Sequence, residues 1–271
     1  MNRKKSVTGI IVWLALIVAS FVLALMFGEH TNKESIRSMM RDAVLHEENK
    51  ISLLGIKAVN PSLISAITVT LILLTAALLI RIFVIPKFKY VPGKFQLVLE
   101  QLVGFFDQLA KTNSPERNSF LGAYVFGAGV YIFTGTIFEL FGLQAVTTNN
   151  TSITLPAPLS DINAAIALGC FSYLIILSGG IAGNKFKGIL NTLKEFSLPI
   201  SMSFRLFGAL LSGLLVTELV YYNIRLSFVL PVIVGVMFTL LHALIQTYVL
   251  TMLTALFYGE VSENKKTQAK A

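Results

Sequence analysis

Apolar residues gather in six long runs, approximately 7–27, 62–85, 119–143, 161–183, 197–222 and 226–258, parted by short polar stretches. Each approaches or exceeds the roughly 20 residues a helix needs to cross a bilayer. The runs predict about six transmembrane helices, an even number that puts both ends of the chain on one side. The stretches "VPGK", "NSPERN" and "LPAPLSD" fall between runs, where turns belong. The first run, preceded by "NRKK", reads as a cleaved signal peptide or as a retained helix. No clean A-x-A site follows it, which favours retention. Segment 34–48 spaces Ile36, Met39, Met40 and Val44 at helical intervals and predicts an external amphipathic helix or hairpin arm, or more simply a solvated linker helix. No internal repeat is visible. The expected fold is all-α and polytopic: an N-terminal span plus external segment over 1–60, a five-helix membrane domain over 61–260, and a basic tail over 261–271.

Composition sharpens that picture. Only 13% of residues are charged, against about 25% in an average soluble protein. The net charge of +8 would suit a nucleic-acid partner, but the Lys and Arg lie mostly in short loops between spans, which excludes that reading. With both termini cytoplasmic, "NRKK", "RIFVIPKFKYVPGK", "NKFKG" and the tail all lie inside, and 145–160, without a single Lys or Arg, lies outside. A bacterial plasma membrane follows from this pattern and from the absence of a clear organelle transit peptide. The one cysteine, Cys170, excludes an intrachain disulfide, and no Cys/His metal set exists. No phosphate-binding glycine motif is present either. The chain is therefore expected to hold no cofactor and no metal, and to catalyse nothing by itself.

One residue does not fit an apolar run. Arg205 lies inside "SLPISMSFRLFGALLSG" (197–213). A guanidinium at mid-bilayer costs about 2.5–3.5 kcal/mol on insertion scales, and it cannot shed its proton. Gly208, Ala209, Ser212 and Gly213 follow it, and small residues admit a close neighbouring helix, either within the chain or from a partner. The fifth and sixth runs are joined near Asn223–Arg225 and should pack as an antiparallel hairpin. Counting from that turn puts Gln246 near Arg205, His242 opposite about Ala209 and Glu218 opposite about Gly235. The sixth run makes about 50 Å of helix, more than an upright span needs, so the hairpin should tilt. Glu139, Asp161 and Asn163 fall at the external ends of their helices and, with Glu218, are candidates for an aqueous inlet. Asp161 also reads as a helix N-cap after Ser160. An independent transporter, or a scaffold that transports nothing, remains an alternative at this point.

The residues around Arg205 resemble the arginine helix of subunit a of F-type ATP synthases. "VPGKFQLVLEQLVGFF" (91–106), "LPAPLSDINAAIALG" (155–169) and "HALIQTYVLTMLTALFYGE" (242–260) resemble further segments of that family, in family order. The resemblance implies a stator subunit beside a rotating ring of c subunits, with peripheral-stalk b subunits, other synthase subunits and the bilayer as partners. It implies that Arg205 faces the ring carboxylates between two half-channels, that Gln246 faces the arginine, and that Asp161 and Asn163 belong to the external access path. The moved ion would be H⁺ or Na⁺. Three positions depart from the pattern: Ala209 stands where Asn is common, Leu214 where Glu or His is common, and Thr239 likewise. His242 is expected to take the place of the missing Asn, and Glu218 to serve the external channel.

Overall fold

The computed structural model describes residues 50–53, 56–115, 118–148, 152–222 and 230–262, with scattered positions between 11 and 22. Segment 34–48, the turn at 223–225 and the tail beyond 262 lie outside those residues. So does most of the first expected span, although Ile11, Leu14 and Val18 are helical and exposed. Among the described residues five helices are long and apolar enough to cross a membrane: Pro61–Lys87, Phe120–Phe141, Ile162–Leu190, Ser197–Thr217 and Val232–Ser262. They correspond to the five later apolar runs.

Helix α1 (Pro61–Leu79) is capped by Asn60, whose side chain accepts the Ser62 N–H at 2.9 Å, with Pro61 in the first turn. Its buried positions Pro61, Ser65 and Val69 recur every four residues, and the rest of its surface is largely exposed. The hydroxyls of Ser65, Thr68 and Thr70 bond carbonyls four residues back, so they ask nothing of the lipid. The helix widens into a π turn at Ile80–Val84 and tightens into a 3-10 turn at Ile85–Lys87, where Pro86 ends it. Helix α2 (Lys94–Asn113) is amphipathic and buries Phe106 and Ala110. It packs on α3 (Ser119–Phe138), where Gly129 makes room: a Cβ there would lie 2.6 Å from the Phe106 ring.

Two short antiparallel hairpins share one end of the bundle. Strands β1 (Ile51–Leu53) and β2 (Ile56–Val59) form one, and β3 (Gln144–Val146) with β4 (Ser152–Thr154) the other, with Ala145 opposite Ile153. The Thr148 N–H donates to the Lys50 carbonyl at 2.9 Å and ties them together. Beneath them Ile51, Val69, Phe138 and Leu155 form a small core. This end is called the strand face. The opposite end gathers Lys87, Lys89, Lys94, Lys185 and Lys187, and is called the basic face.

Helix α4 (Ile162–Lys194) begins at the strand face and reverses at Lys185, whose φ of 50° and ψ of −127° are not helical. The return segment lies against the outgoing one. Gly180 and Gly188 touch backbone to backbone, with no room for a Cβ at Gly188, and the Tyr173 hydroxyl donates to the Thr192 carbonyl at 2.9 Å. The sequence reading placed a simple loop between 183 and 197; the chain instead folds back as helix into the apolar layer. Helix α5 (Ser197–Tyr222) consequently starts within that layer. Its Pro199 and Ser203 pack against Gly169, where a Cβ would collide with the Ser203 hydroxyl. Gly169 lies eight residues past Asp161, about 12 Å along α4. Helix α6 (Leu230–Ser262) ends at the basic face against α2 and α4. There Gly259 abuts the Asn113 carbonyl, and the Asn184 amide donates to the Val261 carbonyl at 3.1 Å. The main core joins all these helices except α1 through Phe106, Leu121, Ile132, Ile176, Leu206 and Leu250, among others.

Candidate functional site: the arginine face of the α5–α6 hairpin

Helix α5 divides its positions between two environments. Leu198, Met202, Leu206 and Leu210 recur every four residues and are buried against the bundle. Ser201, Phe204, Arg205, Gly208 and Ser212 are exposed on the remaining surface. Arg205 is thus the one charge among the described side chains of α5, and it makes no ion pair or hydrogen bond among the described residues. A guanidinium on an apolar surface is expensive unless an anion meets it, and none of the described residues supplies one.

The four small residues after Arg205 do not share one setting. Gly208 and Ser212 are exposed, and a Cβ at 208 would meet nothing within 4 Å. Ala209 and Gly213 are half-buried. Gly213 lies under the His242 ring: a Cβ there would sit 3.4 Å from Nδ1. The ring is also 5.8 Å from that of Phe238, centre to centre. His242 therefore pairs with Gly213, one turn further along α5 than the sequence arithmetic gave. The Gly213–His242 contact itself fixes this register, one turn away from the count made from Asn223–Arg225. The same register carries Gln246 to Ala209 and Leu250 to Arg205. Gln246 is only 6% exposed, and neither its Oε1 nor the neighbouring Thr247 hydroxyl has a hydrogen-bond partner among the described residues. Buried polar atoms of this kind are ordinarily met by water.

At the strand face Asp161 caps α4, accepting the Asn163 N–H at 2.8 Å through Oδ1. Its other oxygen accepts a hydrogen bond from the Asn60 amide, so the caps of α1 and α4 hold each other. Asn163 is exposed, and Glu139 is half-buried in the 3-10 turn Glu139–Phe141 that closes α3. Glu218 belongs to α5, with its side chain outside the described residues. The Asp161 group and Arg205 are not brought together. The Ser203–Gly169 contact puts Arg205 on the order of 12 Å of α4 length below Asp161.

Residues 63–259, from the first turn of α1 to the last turn of α6, match the family ATP synthase A chain. The chain belongs to the ATP synthase A chain family. Two relatives, the ATP synthase subunits a of two strains of Cereibacter sphaeroides, are each 26% identical over 179 residues, covering 62% of this chain and 69% of the relative. Membership makes the chain a multi-pass membrane subunit of an ATP synthase, which serves ATP synthesis and ion transport and is not itself the catalytic part. Within the A-chain fold, sequence reasoning singled out Arg205, Gln246, His242 and Asp161 but missed Asn60, the partner of Asp161. Its signal was present as "NPS", an Asn ahead of a helix-starting proline. It also missed the buried Thr247, Thr251 and Thr254 of α6, whose spacing of four and three residues marks one helix face.

Proposed function

We propose that this chain is the ion-translocating stator of its ATP synthase, and that Arg205 meets the carboxylates of a rotating ring of c subunits. The single observation that carries this is the exposed guanidinium of Arg205, which has no partner among the described residues and is the one charge among the described side chains of α5. An acidic group on a passing helix would supply the anion that the described residues do not. The ring carboxylate approaches Arg205 ionised, is held while it changes half-channels, and is reprotonated or takes up Na⁺ before it re-enters lipid. The fixed cation also repels an ion that would slip straight through. Each elementary charge moved is worth about 2.3 kcal/mol per 100 mV, and a leak would dissipate it.

The strand face is read as the external side, since the lysines gather at the other end. An inlet there would draw on Asp161, Asn163, Glu139 and Glu218. Gln246 and Thr247, with their buried unpartnered oxygens, mark a second polar place beside the hairpin where water would sit. His242 fills the contact with Gly213, one turn beyond Ala209, so it does not stand at the place of the missing Asn; Gln246 is the polar residue nearer that position. Peripheral-stalk b subunits complete the stator, and a bacterial plasma membrane houses it.

The test is Arg205→Ala in membranes that retain the soluble sector. ATP hydrolysis should persist while ATP-driven ion pumping and ion-driven synthesis disappear. Normal pumping by that variant would end the proposal.

A further inference from the structure

The basic face carries a second feature that the stator reading does not use. Where α1 unwinds, an open cavity of about 520 Å³ lies between the end of α1 and the start of α2. Its size is that of a small-molecule site. Lys87, Lys89 and Lys94 border it, Phe83, Phe88 and Phe95 form apolar walls, and no carboxylate lines it. The loop that presents the lysines is latched. The Lys89 N–H donates to Gln96 Oε1 at 3.0 Å, and Gln96 Nε2 donates back to the Lys89 carbonyl at 2.9 Å. Gln96 Nε2 also reaches Glu100 Oε1 at 2.7 Å, which places that carboxylate behind the latch rather than in the cavity. Three lysines border one opening, so the local charge favours an anion there. The opening stands at the end of a 27-residue apolar span whose exposed Leu79, Ile82 and Phe83 continue the apolar wall along α1.

The geometry points to a binding site for one anionic phospholipid, its phosphate among Lys87, Lys89 and Lys94 and its acyl chains along the exposed side of α1. A headgroup phosphate matches the charge, and only a lipid also matches the apolar wall that leads from the cavity into the membrane. Basic pockets at membrane faces are suited to such headgroups, and each lysine near an anionic lipid contributes about a five-fold gain in binding.

The assembled synthase containing this chain is placed in phosphatidylcholine nanodiscs with a trace of photoactivatable phosphatidylglycerol, and crosslinked peptides are mapped. Label should fall on residues 83–96, and excess phosphatidylglycerol should remove it. Excess phosphatidylcholine or millimolar inorganic phosphate should not. The triple change Lys87→Gln, Lys89→Gln, Lys94→Gln should weaken labelling about a hundred-fold. Lys94→Gln alone, which leaves most of the loop intact, should weaken it about five-fold. Equal labelling by a phosphatidylcholine probe, displacement by free phosphate, undiminished labelling in the variants, or crosslinking of this loop to a protein subunit instead of lipid would each overturn the assignment.

Discussion

Replacing Gly208 by leucine separates the folding of this chain from the docking of its partner. Among the described residues a Cβ at 208 meets nothing within 4 Å, and the position is exposed, so the new side chain starts into open space. Removing a mid-helix glycine favours the helix by about 0.8–1.0 kcal/mol on the alanine scale. The variant should therefore fold at least as well as the parent. A ring helix passing over this spot, however, would meet a four-carbon branch where a hydrogen stood. Overpacking of that kind costs about 1–3 kcal/mol, or roughly a five- to 150-fold loss in the contact. Gly213→Leu is the control, because its Cβ already lies 3.4 Å from His242 and the clash falls inside the hairpin. The assay uses inverted membrane vesicles. A membrane-potential dye reads ATP-driven pumping, phosphate release reads hydrolysis, and an immunoblot reads the amount of chain. Gly208→Leu should keep the chain and the hydrolysis while pumping falls about five-fold or more; Gly213→Leu should lower the amount of chain itself. A Gly208→Leu enzyme that pumps at the parental rate would show that no helix passes there.

Three further outcomes follow from particular contacts. Gln246→Leu removes a buried, unpartnered oxygen and should leave stability unchanged or raise it by about 1–3 kcal/mol. If water at that oxygen carries ions, synthesis driven by an ion gradient should fall in the same variant, a combination that a packing role would not give. Asn60→Ala removes the cap of α1 and the tie to Asp161, and should cost about 0.5–2 kcal/mol in SDS denaturation of the reconstituted chain. Asn60→Asp should cost more, because it sets a second carboxylate against Asp161. Lys185→Gly relieves a positive φ that only glycine adopts freely, and should raise the same denaturation midpoint by about 1 kcal/mol.

The membrane helices were legible because lipid imposes a simple demand: about 20 apolar residues in a row, with stray hydroxyls tied to their own helix, as in Thr68 and Thr70. Arg205 was legible because nothing apolar excuses a guanidinium. The reversal at Lys185 was not. "NKFKG" has the composition of a loop, and the close backbone contact of Gly180 with Gly188 is a meeting of residues that single-chain periodicity cannot pair. The hairpins at the strand face have strands of three or four residues, too short to show an alternation. The facing pairs of α5 and α6 were misplaced for a geometric reason: the observed Gly213–His242 contact lies one turn from the expected Ala209–His242 pairing, and that offset moves every facing pair along both helices by the same amount.

The reversal bears on how the arginine is presented. Because the return segment of α4 rises beside its own first half, α5 enters the layer near Gly169 instead of at the basic face. An upright α5 and α6 would then push their shared end well past the strand face, since nine residues of α5 lie beyond the Gly213–His242 contact, about 14 Å of helix. That end carries exposed Val232, Ile233, Val236 and Met237. Left in water, each such side chain forgoes about 1.5–3 kcal/mol of burial, a total that rivals the stability of a whole domain. A slanted hairpin would keep them among apolar neighbours. A slanted pair lays a long flank, rather than a narrow edge, against whatever stands beside it. Arg205 sits part-way along that flank, where several neighbouring helices in turn could come within reach of it.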